Sequence, residues 1–342
     1  MKPLLVAGHG IRLAKAQEEL YKVLELGIPV VTTFNGFDLV SNDHPNFVGR
    51  IGTVGTYGGN YALKNCDTLI CVGTRNNIRQ VSYNWKSFAP QAKIIIVDID
   101  EAELEKPTIY FPEMCNHEYI QNAKDFLIDF LSKGKEYYHI DPDWLPLLRN
   151  YNNSHPIDLT PPYRFIHELT SVLFDDAVVV CGNGTACVAM FQAGIVKQGQ
   201  RIFWNSGTAA MGYDLPAAIG ACFASGREVY CITGDGSIMM NIQELQTIKH
   251  HQLPIKIFVL NNGGYRSLEM TQDNYFKSDY IGCNEQSGIS FPDFEKVAEL
   301  YNLKYYRGYD RLEEMLYYPY GFLCEVEIGN EYIINPKFTN SL

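Results

Sequence analysis

The run Ile94-Ile95-Ile96-Val97 is apolar at every position rather than at alternate ones. That is the pattern of a strand covered on both faces, as in a parallel sheet between two layers of helices. Comparable runs occur at 3–7, 29–33, 68–72 and 93–99 in the first half, and at 177–181, 201–204, 228–233, 255–260 and 322–328 in the second. Helical stretches separate them: Leu13, Leu20, Val23 and Leu24 share one face, and helices are expected over 119–131, 142–150 and 163–173. Alternating strand and helix predicts an α/β fold with two Rossmann-like, doubly wound parallel-sheet domains. The segments Tyr137-Tyr138-His139-Ile140-Asp141-Pro142 and Asn152-Asn153-Ser154-His155-Pro156 are polar and proline-punctuated, which places a linker at 136–160 between domains at 1–135 and 161–335.

The totals narrow the partners. A formal charge of −11 argues against nucleic acid, whose phosphates need a basic face. Nine cysteines are an odd count without a Cys-x-x-Cys, and none of the eight histidines stands at zinc-like spacing from a cysteine. Cys71, Cys181 and Cys231 fall in the apolar runs, where a thiol acts as a small hydrophobe. Free thiols point to a reducing cytoplasm. The opening apolar run is too short for a signal peptide and reads as a first strand; no run approaches membrane-spanning length, so a membrane is not expected as a partner.

Chemistry concentrates in two groups. Gly234-Asp235-Gly236-Ser237 follows one apolar run, and Asn261-Asn262-Gly263-Gly264-Tyr265 follows the next, with Asp235 and Asn262 27 residues apart. A carboxylate and an amide oxygen, each at the C-terminal end of a parallel strand, suit a hard cation such as Mg²⁺ that shares its oxygens with phosphates. Small residues beside them let backbone N–H groups approach a diphosphate. Either group alone also reads as an ordinary turn; together and in order they point to a site.

The stretch from Phe203 through Met211-Gly212-Tyr213-Asp214-Leu215-Pro216-Ala217-Ala218-Ile219-Gly220 resembles the acetolactate synthase family, whose enzymes use thiamine diphosphate (ThDP). The resemblance implies that Met211 is a wedge bending the cofactor, with Ala210 beside it. It implies diphosphate contacts from Gly182, Asn183, Gly184 and Thr185 and from Gly234, Asp235, Gly236 and Ser237. It gives Mg²⁺ to Asp235, Asn262 and the carbonyl of Gly264, and sets Tyr265 against the cofactor. Thr185-Ala186 stand where biosynthetic members carry Gln-His, which weakens assignment to branched-chain amino-acid synthesis. Arg266 and Gln272 either face a substrate or solvate a loop.

The first domain is similar to the family's central domain through Pro29-Val30-Val31-Thr32-Thr33, Cys66-Asp67-Thr68-Leu69-Ile70-Cys71-Val72-Gly73-Thr74-Arg75 and Val97-Asp98-Ile99-Asp100. Some relatives hold FAD there, and Gly8, Gly10, Gly73, Arg75 and Asp98 match its positions. Asn76-Asn77-Ile78 replaces the usual acidic segment, and a glycine pair after a strand also serves a simple turn, so FAD is not the expected occupant. Relatives carry a pyrimidine-binding domain ahead of the central one, with the glutamate that activates the cofactor; no acidic residue of this chain matches it.

The resemblance therefore implies the ThDP- and Mg²⁺-binding portion of an enzyme that decarboxylates and ligates a pyruvate-type 2-oxo acid, in a homo-oligomer and with the glutamate supplied by a separate pyrimidine-domain subunit, unless the sequence is a truncation or the relic of a broken gene. The alternative is a non-catalytic ThDP- or nucleotide-binding protein, a sensor or assembly partner. A nicotinamide oxidoreductase fits poorly, because Gly8-x-Gly10 is followed by Leu13 where a third glycine is needed.

Overall fold

Two six-stranded sheets, each parallel throughout, organise the described residues. The computed structural model describes residues 1–106, 115–134 and 138–329, with 115–118 described in backbone only. The domain limits expected at 135 and 335 and the linker start at 136 lie outside the described residues. The described chain forms two compact units that part between Asp158 and Leu159.

The first unit contains β1 (Pro3–Ala7), β2 (Val30–Thr32), β3 (Phe47–Arg50), β4 (Thr68–Val72), β5 (Lys93–Asp98) and β6 (Cys115–Ile120) in the order β3-β2-β1-β4-β5-β6. Successive residues of a strand serve opposite faces. Leu4, Val6, Leu69, Cys71, Ile94 and Ile96 pack with Leu63, Val81, Phe88, Trp144 and Leu148. Leu5, Ala7, Ile70, Val72 and Val97 pack with Leu20, Val23, Leu24, Leu127 and Phe130 on the other face. Each such fully buried aliphatic or aromatic side chain contributes roughly 1.5–3 kcal/mol before entropy is counted. The helix Trp144–Ser154 belongs to this unit: Trp144 is buried and its indole N–H donates to the carbonyl of Pro3 at 2.9 Å.

Several expectations change. Leu13 is 74% exposed, because the helical stretch is two helices, His9–Leu13 and Gln17–Leu24, separated by Lys15 at φ +52°. The helix expected from 119 starts at Ala123, since 115–120 pair with β5 as β6; the Asn122 side chain caps the helix by accepting the N–H of Lys124 at 2.9 Å. Both β3 and β6 were unforeseen.

The second unit contains β7 (Val178–Cys181), β8 (Arg201–Phe203), β9 (Val229–Gly234), β10 (Ile255–Asn261), β11 (Lys304–Arg307, also unforeseen) and β12 (Phe322–Glu327), ordered β11-β12-β10-β9-β7-β8. Val178, Val180, Val229, Cys231, Ile255, Ile257 and Val259 form one core with Leu215, Ile238 and Leu245. Residues between them on the same strands, such as Val179, Ile232 and Phe258, are equally buried, so the sheet is covered on both faces. The first helix, Pro161–Val172, begins with proline at a position where a missing N–H costs nothing. Strand order reverses between β1 and β4 in the first sheet and between β7 and β9 in the second. Ligands of open α/β sheets bind outside the strand C-termini at such reversals.

Candidate functional site

In the second unit the loops after β7, β9 and β10 lie side by side, and side chains tie them together. Asp235 follows β9 and is 3% exposed. Its Oδ2 accepts the backbone N–H of Asn262 at 3.0 Å and of Gly263 at 2.8 Å, while Oδ1 accepts that of Gly236 at 2.6 Å. Burial pushes this carboxyl up from its ordinary value, and the N–H groups of Asn262, Gly236 and Gly263 pull it back. The loop after β10 is thus folded onto the carboxylate.

Asn262 completes a cluster of oxygens. With its carbonyl directed inward, Oδ1 stands 2.8 Å from the Gly264 carbonyl and 3.2 Å from Asp235 Oδ2; with the amide turned, its NH₂ donates to both. Bare oxygens this close repel unless a proton donor or a cation lies among them. A cation holding oxygens octahedrally at ~2.0–2.1 Å sets neighbouring ligands about 2.8–3.0 Å apart, whereas ~2.3–2.6 Å ligation would need about 3.3–3.7 Å. The spacing and the hard donors suit a small divalent cation. Among the described residues no group of three or more His, Cys, Asp and Glu is placed to hold a metal ion.

Glycines line the approach because side chains would fill it. A Cβ on Gly236 would stand 2.0 Å from the Tyr265 ring, and one on Gly182 would stand 2.3 Å from Asp214 Oδ2. Gly184 adopts φ +59° at the start of the helix Thr185–Ala193, close to the Ser267 hydroxyl. Asn183 donates to the Ala209 carbonyl at 2.9 Å, and the Gly212 N–H donates to Ser237 Oγ at 2.9 Å. Ala210 is exposed and Met211 half-buried on the loop between these two contacts. Gly234, extended at φ −91°, leads into Asp235 with open space around its Cα. All four sequence groups, 182–185, 210–212, 234–237 and 262–265, therefore converge.

Arg266 and Gln272 resolve into loop supports. Arg266 pairs with Glu269 at 3.3 Å, and Glu269 also accepts from Asn284 at 2.9 Å. Gln272 holds Ile281 through its carbonyl and its N–H, at 3.2 and 3.0 Å. Two residues later the Cys283 carbonyl accepts the N–H of Tyr265 at 2.7 Å. Sequence reasoning missed this clamp, and also Asp214 and Asn241, whose side chain donates to the Gly212 carbonyl at 2.7 Å. The one available signal was Asp214 itself, a carboxylate opening an otherwise apolar helix.

In the first unit Gly8, Gly10 and Gly73 pack against one another: the Gly8 N–H donates to Val72 and that of Gly10 to Gly73, at 3.0 and 2.8 Å. A Cβ on Gly8 would stand 2.2 Å from the Gly73 carbonyl. Arg75 is paired with Glu103, its Nε donating at 2.6 Å, and Asp98 ends β5 by accepting the N–H of Asp100 at 3.1 Å. A separate cavity of about 770 Å³, walled by Tyr57, Tyr61, Lys64, Gln80 and Lys86 among others, includes none of these five residues.

The eight described cysteine side chains are buried and none is in a disulfide. No described helix is long and apolar enough to cross a membrane.

Residues 182–317 match the thiamine pyrophosphate enzyme C-terminal TPP binding domain, and residues 1–115 match the thiamine pyrophosphate enzyme central domain. The chain is 35% identical over 327 residues to a probable acetolactate synthase large subunit of Methanococcus aeolicus, covering 89% of this chain and 53% of that protein. It is 32% identical over 310 residues to the acetolactate synthase isozyme 2 large subunit of Escherichia coli K12, covering 88% and 54%. Against the chloroplastic acetolactate synthase 1 of Zea mays it is 31% identical over 354 residues, covering 98% and 55%. The chain thus spans about half the length of these curated relatives.

Proposed function

Because the chain belongs to the thiamine pyrophosphate enzymes and carries their central and C-terminal TPP-binding domains, we propose that its second unit binds ThDP through Mg²⁺ and forms the diphosphate side of a site acting on a pyruvate-type 2-oxo acid. The observation that carries this reading is the trio Asp235, Asn262 and Gly264: the inward atom of the Asn262 amide stands 2.8 Å from the Gly264 carbonyl and 3.2 Å from Asp235 Oδ2, hydrogen bonds with the NH₂ turned in and, with the oxygen turned in, close to the edge of a Mg²⁺ octahedron (about 3 Å). The Asp235 carboxylate, Asn262 Oδ1 and the Gly264 carbonyl would hold the metal. Gly182, Asn183, Gly184, Thr185, Gly234, Gly236 and Ser237 meet the diphosphate. Tyr265, laid over Gly236, would shield the metal side from water, and Met211 would support the cofactor.

ThDP, when bound, supplies a thiazolium that accepts the electron pair left by decarboxylation. The carboxylate that activates its pyrimidine ring is assigned to a pyrimidine-domain polypeptide, on a longer form of this chain or on a separate subunit of the oligomer. Gly8, Gly10 and Gly73 are spent on mutual packing and Arg75 on Glu103, so we assign the first crevice a structural role rather than FAD. The buried thiols fit a reducing compartment such as the cytoplasm.

The test is calorimetric titration with ThDP and Mg²⁺, then turnover of pyruvate with a pyrimidine-domain polypeptide added. Metal-dependent binding followed by turnover supports the enzyme. Binding with no turnover favours the second reading, a non-catalytic ThDP-binding protein. No binding under either condition sinks both.

A further inference from the structure

One carboxyl in the second unit has no role in the reading above. Asp214 opens the helix Asp214–Ser225 and is fully buried at 0% exposure. Its Oδ1 accepts the N–H of Leu215 at 3.0 Å, while Oδ2 has no hydrogen bond of standard geometry. Oδ2 is pressed under the turn after β7, 2.3 Å from where a Cβ of Gly182 would be. The hydroxyls of Thr233 and Ser237, two residues to either side of Asp235, face the same carboxyl. Thr233 directs its hydrogen to the Gly234 carbonyl at 3.3 Å.

Ser237 decides what this arrangement does. A serine hydroxyl has one hydrogen and two lone pairs. The Gly212 N–H occupies one lone pair at 2.9 Å. An ionised Asp214 would draw the Ser237 hydrogen down to itself and set a negative charge beneath an anion site. A neutral Asp214 would instead donate its O–H to the second lone pair, and the Ser237 hydrogen would then face the site. Burying an ionised carboxylate is costly: burial pushes Asp214 upward from its ordinary value, and the hydroxyls of Ser237 and Thr233 with the N–H groups of Leu215 and Asp214 pull it only part of the way back. The titratable groups beside it are the thiols of Cys181 on β7 and Cys231 on β9. Burial holds both well above their ordinary value, so both are uncharged neighbours.

We propose that Asp214 is a positioning residue: standing as a neutral acid beneath Ser237, it donates to that hydroxyl and turns the Ser237 hydrogen toward the diphosphate. This rests on the diphosphate reading of Ser237.

Two measurements test it. Infrared difference spectra of the cofactor-free protein, wild type against Asp214→Asn at neutral pH, should contain the C=O stretch of a protonated carboxyl that shifts in D₂O. Its absence overturns the proposal without reference to any cofactor. Titration with ThDP and Mg²⁺ then compares the wild type with Asp214→Asn, Asp214→Leu, Ser237→Ala and the Leu–Ala double variant. The amide keeps a neutral donor and should bind within about threefold of wild type, while Asp214→Leu and Ser237→Ala should each lose about tenfold and the double variant no more than either. Losses that multiply to about a hundredfold overturn the proposal alone. A wild type that binds no ThDP overturns the cofactor reading and this inference with it.

Discussion

The carboxylate of Asp235 accepts the backbone N–H of Asn262 at 3.0 Å, joining the ends of two neighbouring strands through one side chain. The contact fixes where the Asn262 and Gly264 oxygens point, so the carboxylate shapes the oxygen cluster as well as belonging to it.

Asp235→Asn should therefore separate binding from folding. The amide keeps one oxygen for the backbone donors of Asn262 and Gly263, so the loss of stability should stay near 1–2 kcal/mol. Metal-dependent ThDP affinity should fall at least about a hundredfold, roughly 2.8 kcal/mol, because a charged ligand is removed. Calorimetry and a melting curve on the same sample decide it. A variant that binds ThDP as tightly as wild type in Mg²⁺ would remove Asp235 from the site.

Gln272→Ala tests the clamp on the Gly264 carbonyl. Gln272 holds Ile281, and the Cys283 carbonyl beyond it accepts Tyr265 and stands 2.6 Å from where a Cβ of Gly264 would be. Loosening that loop should raise the Mg²⁺ concentration for half-saturation about tenfold, as outer-shell losses commonly do. ThDP affinity at saturating Mg²⁺ should change far less. Equal losses in both would mean general disruption rather than a displaced carbonyl.

The parts of this design that the sequence announced share a physical cause. Interior strands such as β5 and β10 are buried on both faces, so their apolar runs are continuous and plain to read. The overlooked strands β3, β6 and β11 all lie at sheet edges, with one neighbour each. An edge strand needs no apolar run and gains from polar residues that discourage further pairing; Lys304-Tyr305-Tyr306-Arg307 is such a case, buried nowhere along its length. Within the site, Asp235, Asn262 and the glycines were legible because turn geometry and hard-oxygen chemistry restrict residue type. Asp214, Asn241 and Gln272 were not, since each acts through a partner that is distant in sequence or set by loop closure, as Asn241 does on Gly212, 29 residues away.

Gly212→Ala probes the backbone beneath Met211. Gly212 sits at φ +80°, and an added Cβ would meet Met240 Cβ at 2.6 Å. Strain and overpacking together should cost about 1–3 kcal/mol. A unit of this size should then melt roughly 2–4 °C lower per kcal/mol lost. A melting temperature within error of wild type would mean the loop adapts freely, and would also remove the Gly212–Ser237 contact as a fixed element.

Asp214 makes a pH prediction independent of any ligand. Burial raises its folded-state pKa above 3.8, the ordinary value expected in the unfolded chain. Below that value the carboxyl is protonated in both states, and its contribution to stability is fully present. As pH rises the unfolded chain releases the proton first, so stability drains away until the folded-state pKa has been passed. Asp214→Asn cannot titrate, and the difference between the two stability curves cancels the other carboxylates. Relative to wild type, the asparagine variant should gain stability from acid toward neutral pH, measured by denaturant midpoints at several pH values. A difference that stays flat would place the Asp214 carboxyl at an ordinary pKa, and the charge it then carried would be incompatible with a neutral donor beneath Ser237.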